Sequence, residues 1–270
     1  MPKVLTIAGS DSGGGAGIQA DLKTMLANDV YGMSAITALT AQNTLGISGI
    51  LEVTPDMLQK QMDAVFEDLR PDAVKIGMTA SAKLISVIID RLRFYQAKNI
   101  VLDTVLASTS GTTLNHSQEA LKNLIRICDL MTPNIPETEI LSGMTIRSEQ
   151  DMEQAVLKLH KEFGCAVLCK GGHSQTHAND VLYTQDDGLI WYRQERIANP
   201  NTHGTGCTLS SAIACGLAKG LSLAQSVADA KKFMTKILTS DLDLGHGNGS
   251  LDHGFAIRKQ HSDFQVSEND

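Results

Sequence analysis

The sequence lacks the features that mark secreted and membrane proteins. Its first nine residues form too short an apolar run for a secretory signal, and Asp11 follows almost at once. No stretch approaches the roughly 20 consecutive apolar residues that a membrane span needs. The five cysteines are odd in number and scattered, which excludes a disulfide framework. These absences predict a reduced, cytoplasmic protein that does not enter the membrane.

An excess of basic residues is also missing. The chain of 270 residues has 23 Lys and Arg against 30 Asp and Glu, for a net charge of −7. This balance argues against a broad basic face for nucleic acid or anionic membrane, although a local basic pocket for phosphate is compatible with it. Cys165 and Cys169 lie in an apolar run typical of a strand, and a structural zinc site needs four ligands. We therefore interpret them as buried thiols.

What the chain does have is a regular alternation of strand-like and helix-like segments. Residues 4–8 are a β-rich run, residues 18–27 carry helical spacing, and residues 33–40 have the pattern of one further buried strand. Residues 180–183 and 188–192 have the pattern of a hairpin. The alternation predicts an α/β fold with a mostly parallel sheet covered by helices on both faces. We expect a single domain over residues 1–258 and a polar, frayed tail over residues 259–270.

A glycine-rich loop (residues 9–17) separates the first predicted strand from the first predicted helix. Glycines let a backbone approach a ligand closely, and a helix N-terminus offers free N–H groups. The loop has no Gly-Lys-Ser/Thr ending, so it is not a P-loop. It matches a dinucleotide fingerprint only weakly, because no acid for a ribose hydroxyl follows the next strand. A ligand-facing loop is favoured over a simple turn.

A second run of small residues precedes an apolar helix. The backbone N–H groups of Gly204, Thr205, Gly206 and Cys207 are unobstructed there and could form an anion-binding nest. Such a nest would stabilise the negative charge of a transferring phosphoryl group. The helix dipole is expected to lower the pKa of Cys207. The alternative is an ordinary N-cap built from a threonine of this segment.

Charged residues end three other predicted strands. Asp103 follows one of them, and Glu137 lies shortly after another; both could serve a hard cation such as Mg²⁺ together with phosphate oxygens and water. Equally, they could be a helix-capping aspartate and a surface glutamate. Lys170, followed by two glycines, ends an apolar strand and is placed either to meet nucleotide phosphates or to face solvent.

Taken together, these segments resemble the ribokinase-like superfamily, and within it the hydroxymethylpyrimidine kinases. The resemblance covers roughly residues 3–255. The matching segments are residues 8–23 (AGSDSGGGAGIQADLK), 38–44 (ALTAQNT), 75–78 (KIGM), 132–134 (TPN), 203–208 (HGTGCT) and 245–249 (GHGNG).

The resemblance implies a three-layer α/β/α fold, a homodimer, and transfer of the γ-phosphoryl of ATP, with Mg²⁺, to a small hydroxymethylpyrimidine and then to its monophosphate. It implies particular roles by position. Gly9, Asp21, Gln42, Met78 and Val105 would bind the pyrimidine; Asp103, Asn134 and Glu137 would lie at the Mg²⁺–phosphate side; Lys170, His203 and Lys231 would lie near the nucleotide; and Cys207 would be the base beside the nest of Gly204, Thr205 and Gly206.

The chain departs from the family pattern at two places. Residues 103–111 keep Asp103 and Val105 but lose a proline and a methionine that are usual there, and residues 250–253 differ from the usual ending.

Pyridoxal kinases share the fold and the glycine-cysteine segment, so pyridoxal phosphorylation or dual activity is the alternative. Gln42 resembles the pyrimidine branch. A non-catalytic binding protein is disfavoured, since it need not keep Asp103, Glu137, Lys170 and Cys207 together.

Overall fold

The structure is a computed structural model that describes residues 1–105, 118–172, 178–240, 242–255 and 258. The predicted polar tail at 259–270 and most of the atypical 103–111 segment lie outside the described residues.

A twisted, mostly parallel sheet forms the centre of the fold. The strands are β1 (Lys3–Ala8), β2 (Tyr31–Ile36), β3 (Ala38–Asn43), β4 (Gly46–Glu52), β5 (Ala73–Ile76), β6 (Ile100–Leu102), β7 (Leu130–Met131), β8 (Ala166–Cys169), β9 (Asp180–Thr184) and β10 (Gly188–Tyr192). Among the described residues, eight of them form one sheet in the order β10-β9-β8-β7-β6-β5-β1-β2. The pairs from β8 to β2 are parallel, and β9 and β10 add an antiparallel hairpin at one edge.

Helices cover both faces of the sheet. They are α1 (Gly17–Ala27), α2 (Pro55–Asp68), α3 (Ala82–Phe94), α4 (Gln118–Ile125), α5 (Ile135–Ser142), α6 (Glu149–Phe163), α7 (Thr205–Ala218) and α8 (Leu223–Leu238). Buried side chains of α2, α3, α4 and α6 form a core on one face, and those of α1, α7 and α8 form a core on the other. This confirms the predicted three-layer α/β/α fold. None of the helices in the described ranges is long and apolar enough to cross a membrane.

Helix α7 is the most deeply covered helix of the second face. Residues 208–216 are all buried, because α1 packs on one side of it and α8 on the other. An amphipathic helix exposes a polar stripe, whereas a helix that is apolar all round is a core element. The first turn of α7 is therefore held from several sides, which matters for the site at its N-terminus.

The prediction of one strand over residues 33–40 is wrong, because these residues belong to two strands, β2 and β3, in two different sheets. The chain bends at Thr37, whose N–H donates to the Ala8 carbonyl at 3.0 Å and whose hydroxyl donates to the Met78 carbonyl at 2.6 Å. After this bend β3 leaves the central sheet and pairs with β4 as a separate antiparallel hairpin. Sequence reasoning also missed β4, because its residues are exposed and show no apolar alternation.

The segment after α8 returns to pack against α7 through a buried histidine. Nε2 of His253 lies 2.8 Å from the hydroxyl of Thr208. Burial, with a smaller contribution from the charge of Lys23, lowers the pKa of His253 from 6.5 to about 4. The folded protein therefore keeps this imidazole neutral at pH values where an unfolded chain would protonate it.

This difference predicts an acid-sensitive stability. Below pH 6.5 His253 becomes protonated in the unfolded chain, whereas in the folded protein it stays neutral until about pH 4. The free energy of unfolding therefore decreases as the pH falls through this window. We expect a loss of about 2 kcal/mol in the free energy of unfolding between pH 7.5 and pH 5 that is absent in His253→Gln. Urea unfolding at both pH values measures it. The exposed His246→Gln is the control, and equal pH dependence in the two variants would contradict the assignment.

Candidate active site

The predicted site segments meet at one edge of the sheet. Gly9, Asp103 and Lys170 each follow the carboxyl end of a parallel strand, β1, β6 and β8 respectively. The strand order reverses beside β1, since the chain proceeds from β1 to β2 on one side and returns to β5 on the other. In open α/β sheets ligands bind at this edge, near such a reversal.

The glycine-rich loop is wrapped around the carboxylate of Asp11. Its oxygens accept N–H bonds from Gly13 (2.8 Å), Gly15 (3.1 Å) and Ala16 (2.8 Å), and Nε2 of His203 lies 2.9 Å away. Burial opposes ionisation, but these bonds outweigh it and lower the pKa of Asp11. The loop is therefore organised by a buried anion, a role that the sequence reasoning did not assign to Asp11.

The start of α7 is packed directly against this loop. Gly204 has a left-handed backbone (φ 83°), and a Cβ added to it would lie 2.0 Å from the carbonyl oxygen of Gly15. Only glycine fits such a contact between two backbones. The loop and the predicted anion nest therefore belong to one rigid unit.

No side chain in the described part of the protein caps α7. Its N-cap is Gly204, without a side-chain hydrogen bond, so neither Thr205 nor Thr208 acts as the cap that was considered as the alternative. An uncapped helix start carries unsatisfied N–H groups and the positive end of the helix dipole. Here the N–H of Thr205 donates to the carbonyl of Thr202 at 3.3 Å, so the anion would be met by its neighbours. This arrangement favours an anion at Gly204–Cys207.

An ion pair lies beneath the first turn of α7. Nζ of Lys170 is 3.0 Å from Oδ1 of Asp103. A Cβ on Gly206 would lie 3.1 Å from the other oxygen of Asp103 and 3.6 Å from Nζ of Lys170. Burial alone would lower the pKa of Lys170, but Asp103 and Glu137 outweigh it and the pKa is raised. The uncapped start of α7, the ammonium group of Lys170 and the carboxylate of Asp103 therefore lie next to one another.

Glu137 and Asn134 sit beside this pair and form the capping box of α5. The Asn134 side chain accepts from the N–H of Glu137 at 2.9 Å, and Glu137 accepts from the N–H of Asn134 at 2.8 Å. Thr104 donates to the same carboxylate at 3.2 Å. Burial raises the pKa of Glu137, as does the nearby Asp103, while Lys170 opposes the rise. In the described ranges no three His, Cys, Asp or Glu side chains are arranged to hold a metal ion.

The residues expected at the pyrimidine lie near the carboxyl ends of four strands, β1, β3, β5 and β6. A Cβ on Gly9 would lie 2.2 Å from the methyl group of Met78, so the two are in direct contact. Gln42 is half-buried, with its amide nitrogen 3.3 Å from Nε2 of His203. Val105 is half-buried, at the end of a described range, and its N–H donates to the carbonyl of Asp103.

Asp21 differs from the prediction. Its carboxylate is fully buried, with both oxygens 2.9 Å from Nζ of Lys75. The hydroxyls of Thr6 (2.6 Å) and Ser211 (2.8 Å) complete its coordination. A direct hydrogen bond to a substrate is not available in this arrangement, because each oxygen already accepts two bonds. Lys75 was missed as a site residue, although a lysine inside the apolar run 73–76 was the signal that could have revealed it.

Lys231 and His203 also differ from the prediction, since protein groups engage both. Lys231 pairs with Asp180 at 2.7 Å, and Asp180 in turn accepts the N–H of Gly171 at 2.9 Å, just after Lys170. His203 faces Asp11 of the glycine-rich loop. Each therefore supports a segment of the site, Lys231 the segment after Lys170 and His203 the glycine-rich loop.

The expected lowering of the pKa of Cys207 is wrong. Burial raises the pKa of this thiol to about 11; Lys75 lowers it, while the carboxylates of Asp21 and Asp103 raise it further. Burial and the two carboxylates thus raise the pKa of Cys207 by more than Lys75 lowers it. At neutral pH Cys207 is a thiol in the unliganded site.

Comparisons with known proteins agree with this geometry. A family model described as phosphomethylpyrimidine kinase matches residues 11–252. The chain is 44% identical over 264 residues to the hydroxymethylpyrimidine/phosphomethylpyrimidine kinase of Bacillus subtilis, covering 95% of this chain and 96% of that protein. It is 45% identical over 256 residues to the thiamine biosynthesis bifunctional protein ThiED of Geobacter sulfurreducens, covering 93% of this chain but only 52% of that protein.

Solved structures point to the same class. The ADP complex of Bacillus subtilis pyridoxal kinase superposes with a TM-score of 0.86 at 34% identity, covering 96% of this chain and 99% of that one. The fold and the site therefore define a small-molecule kinase of the ribokinase-like type. Within that class, the chain belongs to the phosphomethylpyrimidine kinase family.

The role of Asp11 is open to a direct test. Asp11→Asn keeps the size of the side chain but removes the charge and replaces an accepting oxygen with an NH₂ donor that faces N–H groups. Because hydrogen bonds to charged groups are worth about 1.5–3 kcal/mol, we expect a loss of about 2–3 kcal/mol in the free energy of unfolding. Urea unfolding at pH 7.5 measures it. The exposed Asp186→Asn is the matched control, and an equal, small effect in both variants would refute the anchoring role.

Proposed function

We propose that this protein transfers the γ-phosphoryl group of ATP to the hydroxymethyl group of 4-amino-5-hydroxymethyl-2-methylpyrimidine, and then phosphorylates the monophosphate to the diphosphate. The observation that carries the proposal is the uncapped start of α7, which opens directly above the Asp103–Lys170 pair. Family membership and the names of the relatives support the same reaction, a step of thiamine biosynthesis.

The nucleotide phosphates are assigned to the nest and to Lys170. Backbone N–H groups of Gly204, Gly206 and Cys207 stabilise the charge that develops on the transferring group, since they are fixed before the reaction and need no reorganisation. Lys170 supplies a permanent positive charge beside them. A related pyridoxal kinase was solved as an ADP complex, which supports nucleotide binding in this fold. His203 and Lys231 contribute indirectly, through Asp11 and through Asp180.

Residues at the Asp103 side fit a Mg²⁺ ion that is shared with the phosphates. Mg²⁺ typically takes one or two carboxylates, substrate phosphate oxygens and several waters, and so it needs no complete protein cage. Asp103 would hold the ion directly, and Glu137 and Asn134 would hold it through water because their side chains are engaged in the α5 cap. When bound, Mg²⁺ neutralises charge on the transferred phosphoryl group.

The acceptor is assigned to the surface formed by Gly9, Gln42, Met78 and Val105. The amide of Gln42 has the donor and acceptor needed for an aminopyrimidine edge, and Met78 and Val105 offer apolar contacts to the ring. Cys207 lies next to the nest, but its raised pKa limits its value as a base. Phosphoryl transfer depends mainly on positioning and charge stabilisation, so the reaction does not require a thiolate there.

Pyridoxal phosphorylation is the second candidate. The observation that favours it is the close superposition on a pyridoxal kinase over 96% of this chain. The features described around α7 serve phosphoryl transfer to either acceptor. Discrimination therefore rests on the contacts of Gln42, Met78 and Val105 with the ring.

A coupled assay of ADP release tests the proposal. Reactions contain ATP and Mg²⁺ with the hydroxymethylpyrimidine, its monophosphate or pyridoxal. We expect turnover of the first two, little with pyridoxal, and none in EDTA. Gly206→Asp should abolish activity, because it adds a carboxylate within the anion nest, at a position whose Cβ would lie 3.1 Å from an oxygen of Asp103. Preference for pyridoxal would favour the second candidate, and normal activity of Gly206→Asp would overturn the placement of the phosphates.

The state of the cysteines supports a proposal for the compartment. All five are free thiols, and four of them are buried. Cytosolic proteins keep their cysteines reduced. This supports the proposal of a cytoplasmic enzyme.

We further propose that the protein is a homodimer formed through the β3–β4 hairpin. The hairpin is a two-stranded sheet apart from the central one, and an isolated hairpin is only marginally stable in water. Leu39 and Leu51 are direct cross-strand partners and are 47% and 67% exposed. Together with Ala41 and Gly49, the next partners on that face, they form an apolar outer surface. Such a surface is typical of a protein–protein contact.

Light scattering after gel filtration tests the dimer. The wild type should have twice the 29.0 kDa mass of the chain, and Leu51→Lys should be monomeric because it places a charge in the apolar contact. Leu26→Lys in α1, at a leucine that is 64% exposed, is the control and should remain dimeric. A monomeric wild type, or a dimeric Leu51→Lys, would contradict this interface.

A further inference from the structure

A lysine is buried in the middle of the central sheet, directly below the candidate active site. Lys75 lies in β5 and has no exposed surface. Its neighbours Val74 and Ile76 face the core of α2, α3, α4 and α6, so the alternation of a strand directs Lys75 to the other face, toward α1 and α7. Lysines are almost never fully buried unless they are paired.

The partner of Lys75 connects it to α7, the helix whose N-terminus forms the proposed anion nest. Both oxygens of Asp21, in α1, lie 2.9 Å from Nζ of Lys75. Asp21 also accepts from Ser211 in α7 at 2.8 Å and from Thr6 in β1 at 2.6 Å. One ion pair therefore joins two strands and two helices, and Ser211 lies one turn after Cys207.

The ammonium group of Lys75 packs directly against Gly77. A Cβ on Gly77 would lie 2.7 Å from Nζ of Lys75, so a larger residue would have to displace it. The charged or ionisable groups that act on Lys75 are Asp21, Cys207 and Asp103. Lys170 faces Asp103 from the other side. The contacts of Lys75 itself are with Asp21 and Gly77, and its charge also acts on Cys207 and Asp103.

Stability alone does not account for such a pair. Replacing a buried ion pair by apolar residues of similar volume is often neutral or stabilising, because both charges must be removed from water. A buried pair at the carboxyl edge of the sheet is therefore better explained by the site it adjoins. Electrostatic groups fixed in advance are what phosphoryl transfer requires.

We propose that Lys75 is a positioning residue of the phosphoryl-transfer site, which fixes the first turns of α7 through Asp21 and Ser211 and keeps a positive charge near the turn that carries Cys207. The catalytic part of this inference rests on the proposed kinase function. The electrostatic part does not, and it can be measured without any substrate.

The reactivity of Cys207 tests the electrostatic part. Cys207 is the one half-buried cysteine and the other four are buried, so iodoacetamide at pH 8.5 should label it selectively, with Cys207→Ala as the blank. The thiolate is the reacting form. Labelling should be about 3- to 10-fold slower in Lys75→Met, which removes the cation, and faster by a similar factor in Asp21→Asn, which leaves the cation unpaired. Faster labelling in both variants would mean that the pair only holds the packing closed, and would overturn the proposal.

Kinetics of the double variant separate positioning from folding. Each single variant leaves a buried charge without its partner and is expected to be less stable, whereas Lys75→Met with Asp21→Asn removes both charges and should regain thermal stability. We expect its kcat to stay roughly 10- to 100-fold below wild type, with KM for ATP and acceptor within about threefold, as for residues that support a reacting centre. Recovery of kcat together with stability would show a purely structural role. A wild type inactive with every acceptor would count against the proposed function, while the labelling result would still decide the electrostatic part.

Discussion

The contact between the start of α7 and the glycine-rich loop is the constraint on which the site depends. Gly204 and Gly15 meet backbone to backbone, with no room for a side chain between them. On one side of this contact lies the loop that is held by Asp11, and on the other side lies the uncapped helix start. Because the two segments are far apart in sequence, only the folded sheet brings them together. The glycine-rich loop and the start of α7 therefore share one closely packed boundary.

Beside this boundary the charges are arranged in two ion pairs that lie next to α7. Lys75 with Asp21 is fully buried and adjoins Ser211, and Lys170 with Asp103 is largely buried and adjoins Gly206. Each pair keeps its lysine protonated, since the pKa of each lysine is raised in spite of burial. The same carboxylates raise the pKa of Cys207. The site is therefore built to hold fixed charge around a transferring phosphoryl group, and it is not built to generate a strong base.

Much of this could be predicted from the sequence, because the relevant signals are local. The strand and helix alternation, the glycine-rich loop and the small residues before α7 are all patterns of neighbouring residues. The break at Thr37 was not visible, since it depends on bonds to Ala8 and Met78 from other segments. The burial of Asp21 was missed for the same reason, because its partner Lys75 lies 54 positions away.

The pKa of Cys207 shows why local reasoning about electrostatics fails. A helix N-terminus alone favours a thiolate, and that was the only influence that the sequence could supply. The folded protein adds burial and two carboxylates from other elements, and these outweigh both the helix and Lys75. The direction of a pKa shift is thus a property of the assembled site.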